Sequence, residues 1–570
     1  MRILGLSSFR HDTSAVILED GVLKAAIEND KVTRTRLPGL PRDAIQYCFQ
    51  SLGVNWDGID IVAIATRPHR AWARKLFLRA KLAPVAPIAS TYYASRELGT
   101  LATDLNNIRL LRRESNGSRV ITFDHHLCHA ASAFYLSPYE CGLILTMDED
   151  GDGNSTMVAV GKGGRIRIRS AASFPHSLAW VYSQITDLIG FLPHSQEHKT
   201  QWFGFESEPR FKDLFLQMLS GRNGSLPRLD YSFFTPGMAG KIAFSPKFYR
   251  WTGLSPESKQ WTQEERQELA GSVQVACTEI VCYLAEGLCR REGIKEICLG
   301  GGLFQNVSLV ASVEKKLGAK NLFVPPAPGN SGTSLGAAYL AWHQLLRNSR
   351  KYSVPDIYAG PKFRRQDIKD ILDNSKSRYV TPNTEERRLD AALQLLRDGK
   401  IIGWFQGAAE FGPRALGNRN VLASPWAPFV KENLNDFIKH REWFRPFAIA
   451  VPEEECSQYF DASQQCRFMN SLASVRPDGE SLLEGFLLPD RQVRLHVVGR
   501  NRNPLFWRLL KRFGEQARAP MLLSTSFNLL GEPLVLTPRD AIRSYYGSGL
   551  DALIIDEFLL SKSGVSHLPK

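Results

Sequence analysis

One strand pattern occurs twice in this chain, and the repetition limits its fold more than any other feature. Residues 3–7 are apolar, SFRHDT is a polar loop, residues 14–18 are apolar, Asp20-Gly21 is a turn, and residues 22–27 complete a meander. About 140 residues later the grammar returns: apolar 142–147, the loop DEDGDGNS, apolar 156–160, the turn Lys162-Gly163-Gly164, then 165–170. Two meanders with a polar loop between their first strands imply an internal duplication. That is the build of actin/sugar-kinase (ASKHA) ATPase folds, in which two halves grip nucleotide phosphates. At 570 residues the chain exceeds one hydrophobic core, so several domains are expected.

Two glycine clusters fall between a predicted strand and a helix. Gly300-Gly301-Gly302 follows residues 296–299, and Pro328-Gly329-Asn330-Ser331-Gly332-Thr333 precedes the small-residue helix 334–346. Glycines there let a ligand approach the backbone, leaving amides free for phosphate or ribose oxygens. No GxxxxGK[ST] occurs, so a P-loop is not the route to nucleotide. Prolines and tyrosines at 352–362 place a domain boundary, giving 1–352 and 353–570.

Asp124-His125-His126-Leu127-Cys128-His129 enters a helix with His125 and His129 one turn apart on one face, a spacing that lets two imidazoles reach one metal ion. A carboxylate from elsewhere should complete the set, and Asp148, ending the first strand of the second meander, is placed for it. Mixed histidine and carboxylate ligation suits Fe, Mn or Zn. The acidic loop after Asp148 resembles an EF-hand opening, but its twelfth position is Ala159, which excludes that calcium motif. Asp150 or Asp152 is expected to join Asp148 at the metal or the nucleotide.

In the C-terminal part the polar run Glu410-Phe411-Gly412-Pro413-Arg414-Ala415-Leu416-Gly417-Asn418-Arg419 is poor core material and suits the gripping of phosphate or carboxylate. Lys439, Arg441 and Arg445 follow, then Ser526 and Asn528, and together they compose an anhydride-binding pocket. The nine cysteines are scattered with no CxxC, and no stretch has the composition of a membrane span or signal peptide, so a cytoplasmic location is expected. The net charge of +13 is concentrated in 67–81 and 500–518, both read as amphipathic helices with a solvated basic face.

These residues, in ILGLSSFRHDTSAVILEDG, DHHLCHAASAFYLSPYE, GGGLFQNVSLV, GNSGTSLGAAYLAW, EFGPRALGNRNVLASP, REWFRPFAIAV and STSFNLLGEPLV, resemble the carbamoyltransferase family that includes the nodulation-factor and the tobramycin/cephamycin O-carbamoyltransferases. The likeness runs nearly end to end. It implies an ASKHA-like first domain, similar to tRNA threonylcarbamoyltransferases, and a YrdC-like α/β second domain. It implies that carbamoyl phosphate and ATP form carbamoyl-adenylate in the second domain, and that a divalent metal, usually Fe(II), serves transfer to a small-molecule hydroxyl in the first, with Mg a further ion for ATP. By the same resemblance His125, His129 and Asp148 are metal ligands, and Gly301, Gly302 and Asn306 lie at the nucleotide, beside the Gly329, Asn330 and Gly332 cluster. Arg414, Lys439, Arg441, Arg445, Arg494, Ser526 and Asn528 serve the activation site. His11 and Asp12 form the HD motif of the first loop, with His11 a base or orienting group near the acceptor.

The chain departs from the family pattern at several points. Asn330 stands where aspartate is usual as a metal ligand, Glu149 where glycine is usual, Ala408-Ala409 replaces Arg-Met, and Ser524 replaces asparagine. A His-x-Asp-Gly-Thr-x-Arg segment survives only as 490–496, leaving Arg494. The acceptor pocket is expected in the least family-like stretches, 65–118 and 195–261, where Trp202, Phe203 and Trp251 could stack on a ring. A natural-product or antibiotic biosynthetic role is the leading expectation, with no nucleic-acid partner. A tRNA-directed carbamoyltransferase and a nucleotide-binding homologue without turnover are the competing classes.

Overall fold

The computed structural model describes residues 1–69, 87–220, 225–236, 242–350, 352 and 354–562. Its chain forms two compact units. One comprises Met1–Lys24, Leu37–Ile45 and Leu52–Pro355; the other comprises Ala25–Arg36, Gln46–Ser51 and Asp356–Lys570.

Two five-stranded sheets make up the framework of the first unit, though one strand, Val22–Glu28, runs past Lys24 into the residues of the second. One is built from β1 (Arg2–Leu6), β2 (Ser14–Glu19), β3 (Val22–Glu28), β4 (Ile61–Ile64) and β5 (Arg119–Thr122), in the order β3-β2-β1-β4-β5. The other uses β6 (Cys141–Gly151), β7 (Asn154–Lys162) and β8 (Arg165–Ser173). Two small hairpins, β9 (Leu219–Ser220) with β10 (Arg228–Leu229) and β11 (Phe234–Pro236) with β12 (Ile242–Phe244), intervene before β13 (Ile297–Gly300) and β14 (Leu322–Phe323) complete that sheet. Its order, β14-β13-β6-β7-β8, is the first order again. In both sheets the first strand pairs antiparallel with the second and parallel with the fourth. The duplication read from the meanders is therefore real, and the topology is that of the actin/sugar-kinase fold.

Local sequence explains the strands. β1, β2 and β4 are buried almost throughout, so they read as continuous apolar runs without alternation. Asp20 and Gly21 both take positive φ, 49° and 76°, the geometry a two-residue hairpin needs. One expectation changes. Residues 148–151 are not loop: β6 continues through them to Gly151 with a register shift after Met147, and only Asp152-Gly153 turns.

Two small-residue helices, His125–Tyr135 and Gly332–Leu340, pack face to face because Gly336 brings its backbone against the Cys128 carbonyl; a Cβ there would lie 1.9 Å from that oxygen. The helix Gln263–Glu292 is long and apolar enough to cross a membrane by length and composition, which the sequence reading passed over. Here Leu269, Val273, Cys277, Ile280, Leu284 and Leu288 bury one side of it in the core.

The second unit is mixed α/β, the build expected of a YrdC-like domain. It holds one nine-stranded sheet made from β15 (Ile402–Phe405), β16 (Arg419–Ala423), β17 (Ala448–Pro452), β18 (Phe460–Asp461), β19 (Leu472–Val475), β20 (Gln492–Val498), β21 (Leu522–Ser526), β22 (Ala552–Ile555) and β23 (Phe558–Ser561). Their order is β18-β19-β20-β17-β21-β16-β15-β22-β23. Of the two basic stretches, 67–81 lies outside the described residues from residue 70 onward. The other is the helix Pro504–Gln516, and acids of the same unit cover its charges: Lys511 pairs with Glu455, Arg508 with Glu385 and Arg512 with Asp390.

Candidate active site

In the first unit, Asp124 caps the helix His125–Tyr135 by accepting the Leu127 amide at 3.1 Å. This fixes where the first turn begins and sends His125 and His129 toward β6. There the Nε2 atoms of the two histidines lie 3.0 Å apart, and Asp148 Oδ2 lies 3.0 Å from His129 Nε2 and 3.5 Å from His125 Nε2. All three side chains are buried, and their ligand atoms lie within 4.8 Å of one another. Two imidazole nitrogens and a carboxylate oxygen converging on one point cannot all be satisfied by a single N–H. The donor set fits a divalent transition metal. Burial disfavours the Asp148 carboxylate, but hydrogen bonds and charge from His125 and His129 outweigh it and hold its pKa well below the usual range.

The neighbours of this trio are spent on shaping it. Asp152 accepts the His125 amide (2.9 Å), the Arg67 amide (2.8 Å) and the Thr66 hydroxyl (2.9 Å), so it anchors the helix start and is not a ligand. Asp150 accepts the Gly153 amide within the turn. Among the described residues neither joins His125, His129 and Asp148 in the metal-competent group. His126 hydrogen-bonds Thr146 Oγ1 (2.8 Å) and the Asn154 carbonyl (3.1 Å); burial, with His125 and His129 adding, pushes its pKa down to about 4. Sequence reasoning missed Gly151, where a Cβ would meet the His125 ring at 2.2 Å. Glycine next to an acidic turn was its only signal.

The glycines at 301 and 302 pack against the strand that carries Asp148. Gly301 takes φ 107° with space for no Cβ beside the Met147 carbonyl, and a Cβ on Gly302 would stand 3.0 Å from Asp148 Oδ1. A Cβ on Gly329 would meet Gln305 Nε2 at 2.2 Å, and one on Gly332 the Ala327 carbonyl at 1.9 Å. Asn306 instead turns into the fold. Its Oδ1 accepts the Leu309 amide (3.0 Å) as a helix cap, and its Nδ2 donates to Gln274 (2.7 Å), which leaves it a structural residue rather than a nucleotide contact. The Asn330 side chain donates from Nδ2 to His11 Nε2 at 3.1 Å, and its buried Oδ1 has no hydrogen-bond partner among the described residues. His11 Nδ1 faces Asp12 Oδ2 at 3.0 Å. Of the three aromatics expected at the acceptor, Trp202 is buried in the core and Phe203 packs on Phe191, while Trp251 is exposed.

In the second unit five cations converge. Lys439 ends a helical segment, Asn433–Lys439, and donates to the carbonyls of Ser526 and Asn528, each at 2.8 Å. Asn528 is held in turn by donating to the Glu532 carbonyl at 2.7 Å. Arg494 lies on β20, in register with Ala448 of β17 and Leu472 of β19. Burial, reinforced by Arg414, Arg445 and Arg441, pulls its pKa well below the usual value. Burial and Arg445 lower Arg414 to about 10, and burial with Arg445 lowers Arg441 to about 9. Lys439 is lowered strongly by burial and by Arg441 and Arg445. Among the described residues Glu442 pairs with Arg445 at 3.7 Å. Arginine stays charged in proteins, so these depressions express the cost of crowding cations in a partly buried place, a cost that an anion relieves.

Not every charge in the run 410–419 grips a ligand. Arg419 is fully buried and donates to the carbonyls of Gln406, Asn418, Pro361 and Gly407. Glu410 Oε1 accepts the amides of Leu416 (2.8 Å), Asn418 (2.8 Å) and Arg419 (3.2 Å). Both residues shape the loop between β15 and β16 that presents Arg414.

Two family models cover most of the chain: carbamoyltransferase N-terminus over residues 2–339 and carbamoyltransferase C-terminus over residues 393–562. An uncharacterized protein of Synechocystis is 31% identical across 98% of this chain and 97% of its own length. The nodulation protein NolNO of Sinorhizobium fredii is 30% identical over 98% of this chain and 80% of its length. The 3'-hydroxymethylcephem-O-carbamoyltransferase of Amycolatopsis lactamdurans is 29% identical over 42% of this chain and 43% of its own.

Proposed function

Because this chain belongs to the carbamoyltransferase family and is a transferase, we propose that it activates carbamoyl phosphate with ATP and carbamoylates an alcohol hydroxyl of a small molecule. The observation that carries the reading is the group of Arg414, Lys439, Arg441, Arg445 and Arg494, a concentration of cations with Glu442 as its paired carboxylate. Such a group suits a ligand bearing several phosphoryl or carboxylate charges at once.

The chemistry balances in three steps. Water cleaves carbamoyl phosphate to carbamate and inorganic phosphate. A carbamate oxygen attacks the α-phosphorus of ATP and expels pyrophosphate, giving carbamoyl-adenylate. The acceptor hydroxyl then adds to the adenylate's carbamoyl carbon, gives up its proton and expels AMP. In the second unit the cations hold the phosphoryl groups and offset charge that grows on the leaving pyrophosphate, with Ser526 and Asn528 beside them. In the first unit His125, His129 and Asp148 would hold a divalent metal, for which the resemblance favours Fe(II), with the Asn330 amide oxygen a neutral fourth donor. A bound ion supplies Lewis-acid polarisation of an oxygen ligand. His11, steadied by Asp12 and Asn330, orients the acceptor or carbamoyl group beside that trio, while Gly301, Gly302, Gly329 and Gly332 let the turns there pack closely on the protein's own atoms.

The acid-covered helix Pro504–Gln516 removes one basis for a nucleic-acid substrate. The retained Arg494 argues against a chain that has lost turnover. The test is release of AMP and pyrophosphate by metal-loaded protein given ATP, carbamoyl phosphate and an alcohol acceptor. Pyrophosphate release that does not depend on carbamoyl phosphate would sink the reading.

A further inference from the structure

Glu28 ends β3 and Lys31 and Arg34 follow it early in the chain, yet residues Ala25–Arg36 belong to the second compact unit. Glu28 and Lys31 are 4% and 6% exposed, and Lys31 Nζ lies 2.8 Å from Glu28 Oε2. Lys31 Nζ also donates to the carbonyls of Glu410 and Gly412, each at 2.9 Å, while the Gly412 amide donates to Glu28 Oε1 at 2.6 Å. These three bonds grasp the backbone four and two residues before Arg414. Arg34 does the same to the loop after β21, donating to the Pro533 carbonyl at 2.8 Å and the Leu534 carbonyl at 2.5 Å and pairing with Glu532 at 3.2 Å. That loop in turn receives Asn528 Nδ2 at the Glu532 carbonyl.

We infer that segment 28–34 is a strap that positions the anion site, with Glu28 and Lys31 setting the Arg414 loop and Arg34 setting the Asn528 loop. Loops rich in glycine hold one geometry only when their amides and carbonyls are tied to something rigid. Glu410 and Arg419 tie the distal part of the first loop from within, but the part that leads into Arg414 is tied by Glu28 and Lys31. All three are positioning residues: they hold backbone, one another and the acids Glu532 and Asp540, and the anion would meet the cations they place.

A buried ion pair could instead serve stability alone, and removing one partner leaves an uncompensated charge. The discriminating variants are therefore Lys31→Met and the double variant Glu28→Gln/Lys31→Met, which leaves no orphan charge. In full-length protein we expect pyrophosphate to bind at least ~10-fold more weakly in both, consistent with the loss of one well-placed charge-assisted bond to the ligand. Hydrogen exchange of the peptide covering 410–418 should accelerate in both. Cobalt(II) binding at His125, His129 and Asp148, followed by its visible absorption, should be unchanged, and the double variant should melt near wild type. Pyrophosphate affinity equal to wild type in the double variant overturns the inference, whatever happens to melting. The inference rests on the reading of the Arg414 cluster as an anion site, and the two fail differently. A wild-type chain that binds pyrophosphate but forms no AMP contradicts the proposed reaction and leaves the strap standing, whereas one that binds no pyrophosphate removes both.

Discussion

The two candidate sites invert each other's electrostatics. The trio of the first unit brings three electron-pair donors, one of them a carboxylate, to within 4.8 Å with no cation among them unless a histidine is protonated. The cluster of the second unit brings five cations together, with Glu442 beside Arg445 among the described residues. Each is expensive to hold in isolation, since buried charge without its complement is penalised. The difference teaches what each lacks: a cation for the first, an anion for the second. A carbamoyl phosphoanhydride made among the cations and its carbamoyl group delivered beside a metal would use both.

The largest expected effect tests that separation directly. His129→Ala removes one of three ligands and should lower transfer to an acceptor by on the order of 1000-fold, while carbamoyl-phosphate-dependent exchange of pyrophosphate into ATP survives. Arg414→Ala should do the reverse, cutting exchange by about 10- to 100-fold, as loss of a charge-assisted bond predicts, and sparing metal binding. Equal loss of both half-reactions in both variants would erase the distinction between the sites.

Next in size is the cost of crowding. Arg494→Met relieves repulsion among Arg414, Arg441 and Arg445, so the ligand-free protein should melt a few degrees higher, roughly what 1 kcal/mol gives in a domain of this size. The same variant should gain less than wild type from added pyrophosphate. Scanning calorimetry with and without pyrophosphate reads both. A lower melting point without ligand would mean that Arg494 is paired in a way that offsets its burial.

At the first site the comparison turns on one missing charge. Asn330→Asp adds a second carboxylate beside the trio and should tighten divalent metal by about tenfold, the scale on which ligand and outer-shell changes act. Competition with a chromogenic chelator measures it, and unchanged affinity would place residue 330 outside the coordination sphere.

The fold was legible where a pattern repeats. The two meanders differ in sequence but share strand, loop and turn spacing, and both sheets follow it. The trio was legible because the i, i+4 histidines sit at the start of a helix whose cap, Asp124, is visible in sequence. Other features were hidden for physical reasons. Asp150, Asp152 and Asp148 look alike in a row, and only the bulge in β6 decides which carboxylate faces the histidines. Asn306 sits after a glycine cluster, as a nucleotide contact would, but tertiary packing gives it a helix amide and Gln274 instead. Arg419 reads as a ligand gripper and turns out, like Glu410, to bind the protein's own backbone. The strap residues Glu28, Lys31 and Arg34 form no motif at all, because their partners lie some 380 to 500 positions away.

The smallest effect concerns His11, and its sign depends on the metal. Burial opposes its charge, but the hydrogen bond and charge of Asp12, with Asp148 and Glu149 behind, raise its pKa from 6.5 to about 9. A raised histidine adds stability in full below the unfolded value near 6.5, and that contribution is lost as pH rises through the folded value. Wild type should therefore exceed His11→Gln in stability by a margin that shrinks between pH 6.5 and 9. The ring is half-exposed, so the margin is small. In the metal-free chain at neutral pH the imidazolium donates from Nε2, and turning the Asn330 amide over would offer it an oxygen there. A metal that takes that oxygen forces Nδ2 toward His11, and the ring must then be neutral to receive it at the 3.1 Å seen here. Metal uptake should thus release a proton from His11 and lower its titration midpoint by more than one unit, which NMR of the ring proton follows in zinc-loaded and metal-free protein. An unchanged midpoint would show that a metal does not draw on the Asn330 oxygen, leaving the trio as a site of three protein donors.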